Sequence, residues 1–212
     1  TPHITINRYC SSCLQSIAYG AERIMLGHSD TILAGGAESM SLIPMGGHVI
    51  KPNSTLVTEK PGYYMGMGHT AEEVANRYGI SREEQDAFAV ESHRRAEEAI
   101  KAGKFNDEIV PVEVKERFVG AKGKIEERTS MFEMDEGVRP GTTVEVLSRL
   151  RPAFNVRGSV TAGNSSQMSD GAASVLLMDR EKAEAEGLKP LLKFRSFALA
   201  GVEPEVMGIG PV

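Results

Sequence analysis

The residue of this sequence that is best placed for chemistry is Cys10. It follows a short β-rich run at residues 4–6 and precedes a helix that the apolar spacing predicts to start near Ser11. A side chain at that boundary faces unpaired N–H groups and the positive end of the helix dipole, and both stabilise an anion. The thiolate is the reactive form of cysteine, so this position favours a nucleophile. By position alone, Cys10 is equally consistent with a small apolar core residue, because free cysteines are commonly buried.

A second thiol, Cys13, allows a different chemistry. The run Cys10-Ser11-Ser12-Cys13 has C-x-x-C spacing at a predicted helix N-terminus, which is typical of thioredoxin-like thiol–disulfide oxidoreductases. That hypothesis predicts a compact redox domain and gives no role to residues 40–170. Residues three apart on a helix lie roughly 5–6 Å apart at Cβ, so a disulfide that blocks Cys10 is a related hypothesis. We favour the simpler interpretation that Cys13 fills a small packing space.

The composition argues against several classes of function. The chain has 212 residues, of which 41% are hydrophobic and 25% charged, with a net charge of −5. These values are typical of a globular protein, and the lack of a basic block argues against nucleic acid as a partner. No apolar run approaches the ~18 residues of a membrane span. The two cysteines are not a disulfide framework, so we expect a reducing, cytoplasmic location.

Both ends of the sequence look like cuts within a longer chain. It starts with Thr1 rather than Met, and residues 4–6 already alternate as in a strand. It stops at residues 208–212 in what looks like the start of another segment, and no signal peptide opens it. We therefore interpret the chain as an excised piece, which would lack any organelle-targeting segment of its parent.

Hydrophobic patterning predicts an α/β protein. A helix at residues 14–25, closed by Gly27, separates the run at 4–6 from a continuous apolar strand at 31–34. This order predicts a βαβ unit in a parallel sheet, with the second strand buried on both faces. Residues 172–178 form a second apolar run and are predicted to be another core strand.

The middle of the chain departs from this pattern. Residues 40–69 are rich in Met, Gly and Pro and look like an excursion from the sheet. Thr70 with Glu73 and Ser81 with Glu84 predict two capping boxes, the second opening a helix that runs to residue 102. The other predicted elements are a strand at 109–114, a loop at 115–136, a helix at 143–150, a turn at 161–166, a helix at 180–186 and a strand at 191–197.

The segment around Cys10 resembles the nucleophile segment of thiolases. Asn-Arg-aromatic-Cys-Ser-Ser, here residues 7–12, has the form seen in degradative 3-ketoacyl-CoA thiolases. Further stretches resemble thiolases in the same order along the whole chain: Gly35-Gly36-Ala37-Glu38-Ser39-Met40, Met67-Gly68-His69-Thr70-Ala71-Glu72, Glu84-Gln85-Asp86-Ala87-Phe88-Ala89, Asp107-Glu108-Ile109-Val110-Pro111, Leu150-Arg151-Pro152-Ala153-Phe154 and Val160-Thr161-Ala162-Gly163-Asn164-Ser165-Ser166. Each stretch alone is weak, but together they identify the sequence as a member of the family.

The resemblance implies a partial thiolase-like αβαβα sandwich. Residues 1–39 would belong to the N-terminal half, and residues 40–169 would form a loop domain that covers coenzyme A (CoA). Residues 170–189 would return to the N-terminal half, and residues 190–212 would begin the C-terminal half.

The implied chemistry is acyl transfer in two steps. Cys10 would attack the 3-keto carbon of a 3-ketoacyl-CoA, acetyl-CoA would leave, and a second CoA would take the acyl group from the Cys10 thioester. The backbone N–H of Cys10 would serve as an oxyanion donor. CoA is then a co-substrate, with no covalently bound cofactor and no metal. The full-length protein would be a homodimer or homotetramer.

The resemblance also implies residues that contact CoA. Ser166 would hydrogen-bond the pantetheine amide region, with Ala162 and Phe154 lining the channel. Arg139 would lie near the adenine or its phosphate, and Met67 would flank the reacting acyl group. Simpler roles are a core position for Phe154, a solvated charge for Arg139 and a turn hydrogen bond for Ser166.

Several catalytic groups of the family are absent from this sequence. The Asn-Glu-Ala segment, the Gly-His-Pro segment and the Gly-rich segment with an acid/base cysteine do not occur in it. We therefore expect the isolated chain to lack thiolytic activity. The alternatives are a biosynthetic acetoacetyl-CoA thiolase (acetyl-CoA acetyltransferase), a non-catalytic acyl-CoA-binding fragment and the redox domain considered above.

Overall fold

A computed structural model describes every residue from Thr1 to Val212 and contains both helices and strands, as an α/β chain should. The elements are α1 (Ser12–Met25), β1 (Thr31–Glu38), α2 (Ser54–Glu59), α3 (Met67–Tyr78), α4 (Arg82–Lys101), β2 (Val112–Val119), β3 (Ile125–Phe132), α5 (Val144–Ser148), β4 (Gly171–Met178) and α6 (Arg180–Ala185), with 3₁₀ helices at Pro61–Tyr64 and Pro204–Ile209. The first of two compact units comprises Thr1–Ser54 and Met168–Gly201, and the second comprises Thr55–Gln167 and Val202–Val212.

The first unit is a two-stranded sheet with helix α1 against one face. β1 pairs antiparallel with β4, with Thr31 opposite Met178. Small residues allow the close packing: Ala18 is fully buried, and a Cβ on Gly20 would lie 2.7 Å from Leu177 Cδ1. α1 ends near the predicted position, where Gly27 adopts a φ of +70° that favours glycine.

The other face of this sheet is uncovered within the chain. The cross-strand pair Leu33 and Leu176 is 71% and 59% exposed. Of the predicted run at residues 31–34, only Ala34 is buried, at 4% exposure. The prediction that this strand is buried on both faces is therefore wrong for the chain as it stands, because α1 covers one face only.

Two predicted strands are not formed. Residues 4–6 and 191–197 have no regular secondary structure and join no sheet, so the predicted parallel βαβ unit is wrong. A run of three β-branched residues is too short to hold a ladder without a neighbouring strand, and β1 finds its partner in β4 instead. The strand predicted at 172–178 is confirmed as β4.

Helices α3 and α4 organise the second unit. The capping box at the start of α4 is confirmed: the Ser81 N–H donates to Glu84 Oε2 over 2.8 Å, and the Glu84 N–H donates to Ser81 Oγ over 3.1 Å. The box predicted at Thr70 is wrong, since α3 already begins at Met67 after an extended Gly66. Thr70 lies inside the helix, where its hydroxyl donates to the Met67 carbonyl over 2.7 Å.

The segment predicted to be a charged loop is largely a β-hairpin. β2 pairs antiparallel with β3, and almost every residue of both strands is exposed. Charged residues lie on these exposed faces and hide the alternation that marks a strand. Cross-strand ion pairs join Arg117 to Glu127 over 2.6 Å and Glu116 to Arg128, and such pairs stabilise a hairpin.

Asp170 ties the loop after β1 to the start of β4 and makes the first unit sensitive to acid. Its carboxylate accepts hydrogen bonds from the hydroxyl and, over 2.9 Å, the N–H of Ser41, and these bonds lower the pKa of Asp170. A lowered folded-state pKa adds stability above the ordinary aspartate pKa, and that stability is lost as the pH falls through the folded value. We expect the stability advantage of wild type over Asp170→Asn to be constant near neutral pH and to shrink below about pH 4. Urea midpoints of both proteins against pH test this, and a difference that stays constant into acid would contradict it.

Candidate active site

Cys10 sits on a tight turn at the start of α1. The Cys10 side chain is exposed, and the preceding Tyr9 has a φ of +47°, a rare value for a non-glycine residue. Neighbouring side chains hold this backbone. Asn7 Oδ1 accepts from the Tyr9 N–H over 2.8 Å, and Ser12 Oγ donates to the Tyr9 carbonyl over 2.6 Å. The strained turn therefore leaves the thiol exposed at the N-terminal end of a helix of 14 residues, and such strain clusters at functional sites.

Cys13 lies on the same helix and is exposed, but its thiol contacts the neighbouring strand β1. A Cβ on Gly36 would lie 2.6 Å from Cys13 Sγ, so the thiol occupies the space that this glycine leaves on β1. Both cysteines are free thiols. This contact supports the small-residue interpretation of Cys13.

In the second unit, residues 158–166 form a turn whose backbone is held by side chains. The N–H groups of Ser159 and Val160 both donate to the carboxylate of Glu72 on α3, at 2.9 Å for the shortest contact of each. Glu72 is only 5% exposed. A buried carboxylate needs such partners, because an unpaired buried charge is costly.

A second buried acid, Asp86 on α4, holds the middle of the same turn. Asn164 Nδ2 donates to Asp86 Oδ1 over 3.0 Å, and Asn164 Oδ1 accepts from the Thr161 N–H over 2.7 Å. Arg82 pairs with the other Asp86 oxygen over 2.7 Å and donates to the Leu147 carbonyl at the end of α5. Asp86 is 1% exposed and Thr161 is fully buried. The turn is therefore anchored to both α3 and α4.

Sequence reasoning missed Glu72, Asp86, Arg82 and Asn164 as parts of the site. Each belongs to, or lies beside, a stretch that marked the family, but an acid on a helix is ordinarily a solvated surface charge. No local signal in the sequence marks these residues, because the partners of Glu72 and Asp86 lie about 80 residues further along the chain.

Phe154 lies between this turn and the start of α3. The Ala153 N–H donates to the Val160 carbonyl over 2.9 Å, so the Phe154 segment runs beside the turn. A Cβ on Gly68 would lie 2.2 Å from the Phe154 ring, whose centroid is 6.2 Å from that of His69 in an edge-on arrangement. Phe154 is 43% exposed, which places it at the surface of the unit rather than in its core.

The predicted CoA-contacting residues fall in two places on the second unit. Phe154 packs against Gly68, next to Met67 at the start of α3, whereas Ala162 and Ser166 belong to the 158–166 turn that runs beside the Phe154 segment. All four are exposed. Arg139 lies apart from them. Its backbone N–H donates to His93 Nδ1 over 3.3 Å. His93 follows Asp86 by seven residues, which places it roughly 10 Å further along α4. Their roles, like that of Cys10 in the first unit, stay predictions.

The structure also bears on metal binding and membranes. No group of His, Cys, Asp and Glu side chains is arranged to hold a metal ion. None of the helices combines the length and the apolar character needed to cross a membrane.

Comparisons with known proteins agree with the motifs. The model of the thiolase N-terminal domain matches residues 1–181. The chain is 67% identical over 211 residues to the 3-ketoacyl-CoA thiolase of Bacillus subtilis strain 168, a match that covers 100% of this chain and 54% of that protein. It is 46% identical over 226 residues to an acetyl-CoA acetyltransferase of Chromobacterium violaceum, covering 100% of this chain and 55% of that protein. The chain thus spans about half the length of the curated relatives it matches.

A solved structure shows the same fold. The dimeric peroxisomal thiolase of Saccharomyces cerevisiae superposes with a TM-score of 0.81 at 39% identity, over 97% of this chain and 51% of that chain. This likeness confirms the predicted fold class, a partial thiolase-like α/β fold. With the family model matching most of its length and seven family stretches in order, the chain belongs to the thiolase family.

Proposed function

We propose that the full-length protein containing this chain is an acyltransferase that cleaves 3-ketoacyl-CoA by thiolysis, as in the β-oxidation of fatty acids. The products are acetyl-CoA and a shortened acyl-CoA. The observation that carries the proposal is the exposed thiol of Cys10 on a strained turn at the start of α1. The 67% identity to a 3-ketoacyl-CoA thiolase supports it.

Cys10 is the nucleophile in this mechanism. Its thiolate adds to the 3-keto carbon, and the N–H groups at the start of α1 stabilise the oxyanion. The bond between the second and third carbons breaks, its electron pair is protonated, and acetyl-CoA leaves. The acyl group remains on Cys10 as a thioester until the thiolate of a second CoA displaces it. The proton transfers belong to groups outside this chain, since the family segments that supply them are absent from its sequence.

The second unit supplies the CoA contacts. Ser166 hydrogen-bonds the pantetheine amides, Ala162 and Phe154 line the channel, and Met67 flanks the acyl group. Arg139, whose backbone contacts His93 roughly 10 Å along α4 from Asp86, binds the phosphate or adenine end of an extended ligand. In this account residues 40–169 are the loop domain, residues 1–39 and 170–189 belong to the N-terminal half, and residues 190–212 begin the C-terminal half.

Assembly and location are also part of the proposal. The full-length protein is a homodimer or a homotetramer, and the dimer is supported by the yeast relative, which is described as dimeric. Its location is the cytoplasm, in keeping with the two free thiols.

A second candidate function is biosynthetic acetoacetyl-CoA formation. The 46% identity to an acetyl-CoA acetyltransferase favours it to a lesser degree. Relative kcat/KM on acetoacetyl-CoA and on longer 3-ketoacyl-CoAs separates the two functions: activity confined to the four-carbon substrate supports the biosynthetic one.

The proposed function predicts that the isolated chain is inactive and the full-length protein active. The chain lacks the acid/base segments, and the Leu33–Leu176 face of its sheet is uncovered. Both proteins are assayed with acetoacetyl-CoA and a longer 3-ketoacyl-CoA, following the loss of the 3-keto thioester. Turnover by the isolated chain would contradict the prediction, and failure of the full-length protein on every 3-ketoacyl-CoA would overturn the function itself.

A further inference from the structure

We infer that Glu72 is a positioning residue for CoA binding, because its buried carboxylate fixes the backbone that carries Ala162 and Ser166. The inference rests on the proposed function and deepens it. It adds a residue that acts through the 158–166 turn rather than by touching the substrate.

The Glu72 carboxylate accepts hydrogen bonds from the backbone N–H groups of Ser159 and Val160. Oε1 lies 2.9 Å from the Val160 nitrogen and 3.1 Å from the Ser159 nitrogen, and Oε2 lies 2.9 Å from the Ser159 nitrogen and 3.2 Å from Ser159 Oγ. Two successive N–H groups therefore point at one charged group. Hydrogen bonds to an ionised acceptor are roughly twice as strong as neutral ones. The first residues of the turn are thus held in a single orientation by α3.

Gly158 shows independently that the carboxylate and the backbone approach closely. A Cβ at this position would lie 2.0 Å from Glu72 Oε1, so a side chain there and the seated carboxylate exclude each other. The φ of Gly158 is not in the left-handed region, so its backbone conformation does not require glycine. The glycine is needed for space, and Glu72 fills that space.

Asn164 fixes the next part of the turn through hydrogen bonds to its backbone. Its Nδ2 donates to the Ser159 carbonyl over 3.1 Å, and its Oδ1 accepts from the Thr161 N–H. The Ser165 hydroxyl then donates to the Thr161 carbonyl over 2.6 Å. The side chains of Ala162 and Ser166 stay exposed, available to a ligand. A turn ordered in advance loses less entropy when it binds a flexible pantetheine arm.

The test is the Glu72→Gln variant of the full-length protein. A glutamine keeps the size of the side chain and one acceptor oxygen, but it replaces the second oxygen with an NH₂ group, which then faces the Ser159 N–H as one donor against another. We expect the KM for CoA in thiolysis to rise on the order of tenfold, with kcat changed less than about twofold. Glu73→Gln is the matched control on the same helix, since Glu73 pairs only with the exposed Arg77.

The outcomes separate a positioning role from a structural one. A raised KM for CoA with kcat retained supports the inference. An unchanged KM overturns it, whether kcat is unchanged or lowered, because a lowered kcat alone reports less folded enzyme. If wild type does not turn over any 3-ketoacyl-CoA, the proposed function has failed and the inference fails with it. An active wild type with an unaffected Glu72→Gln variant rejects the inference alone.

A second measurement needs no variant and covers the case in which Glu72→Gln does not fold. Hydrogen exchange of the full-length protein without CoA reports directly on the Ser159 and Val160 amides. We expect both amides to be protected before any ligand is added, whereas the Arg157 amide, whose hydrogen bond to the Asn155 side chain is exposed, exchanges faster. Rapid exchange at Ser159 and Val160 that slows only when CoA binds would overturn the inference, since CoA rather than Glu72 would then order the turn.

Discussion

The Cys10→Ser variant of the full-length protein is expected to lose thiolysis by about four orders of magnitude or more, the scale seen when a covalent nucleophile is removed. Serine matches the cysteine in shape, so the strained turn at Tyr9 and the helix that follows stay intact. A hydroxyl at neutral pH is a far weaker nucleophile than a thiolate and has no adjacent base within this chain to activate it. Steady-state assays with acetoacetyl-CoA and CoA measure the loss.

Cys13→Ala is the matched control for this experiment. Cys13 lies on the same helix and packs against Gly36, where a smaller side chain fits without strain. We expect its kcat/KM to stay within a few-fold of wild type. The redox hypothesis predicts instead that both substitutions abolish a thiol–disulfide activity. Retention of full thiolysis in Cys10→Ser would contradict the role of Cys10.

The Asp86→Ala variant is expected to lower the free energy of unfolding by about 3 kcal/mol, near the low end for breaking a buried ion pair because Arg82 keeps some solvent contact. The substitution leaves the Arg82 guanidinium and the Asn164 amide without their shared acceptor. It also loosens the end of α5, to whose carbonyls Arg82 donates. The melting temperature of the full-length protein, followed by circular dichroism, measures the effect.

The matched control for Asp86 is Glu91→Ala, one of the exposed acids of the same helix. Glu91 pairs with Arg94 and Arg95, which lower the pKa of Glu91 to about 2. Exposed pairs of this kind contribute little to stability because water and salt screen them. We expect the melting temperature of Glu91→Ala to match wild type closely. If the two substitutions lowered the melting temperature equally, the buried ion pair of Asp86 would contribute no more to stability than the exposed pairs of Glu91.

Helices α1 and α4 could be predicted from sequence signals that lie within or next to them. The apolar spacing after Cys10 and the left-handed Gly27 locate α1, and the Ser81–Glu84 capping box locates α4, because caps and periodicity act within a few residues. β4 was visible as an apolar run. The motif stretches identified the family, which single residues could not do.

Features that depend on distant partners were not predictable in this way. Pairing of β1 with β4 joins residues more than a hundred positions apart, and a strand at residues 4–6 needs a neighbour that the chain does not provide. The β2–β3 hairpin was hidden by charges that pair across strands. The buried roles of Glu72 and Asp86 depend on backbone donors and an amide found about 80 residues later in the chain. An acid's own surroundings in sequence carry no sign of such contacts.

Trapping of the acyl intermediate shows directly whether Cys10 is the nucleophile. The full-length protein is mixed with a 3-ketoacyl-CoA in the absence of free CoA, quenched in acid, digested and examined by mass spectrometry. We expect the peptide containing Cys10 to gain the mass of the shortened acyl group, and we expect CoA added before the quench to remove it. Turnover without any acyl adduct, or an adduct on a residue other than Cys10, would contradict the account.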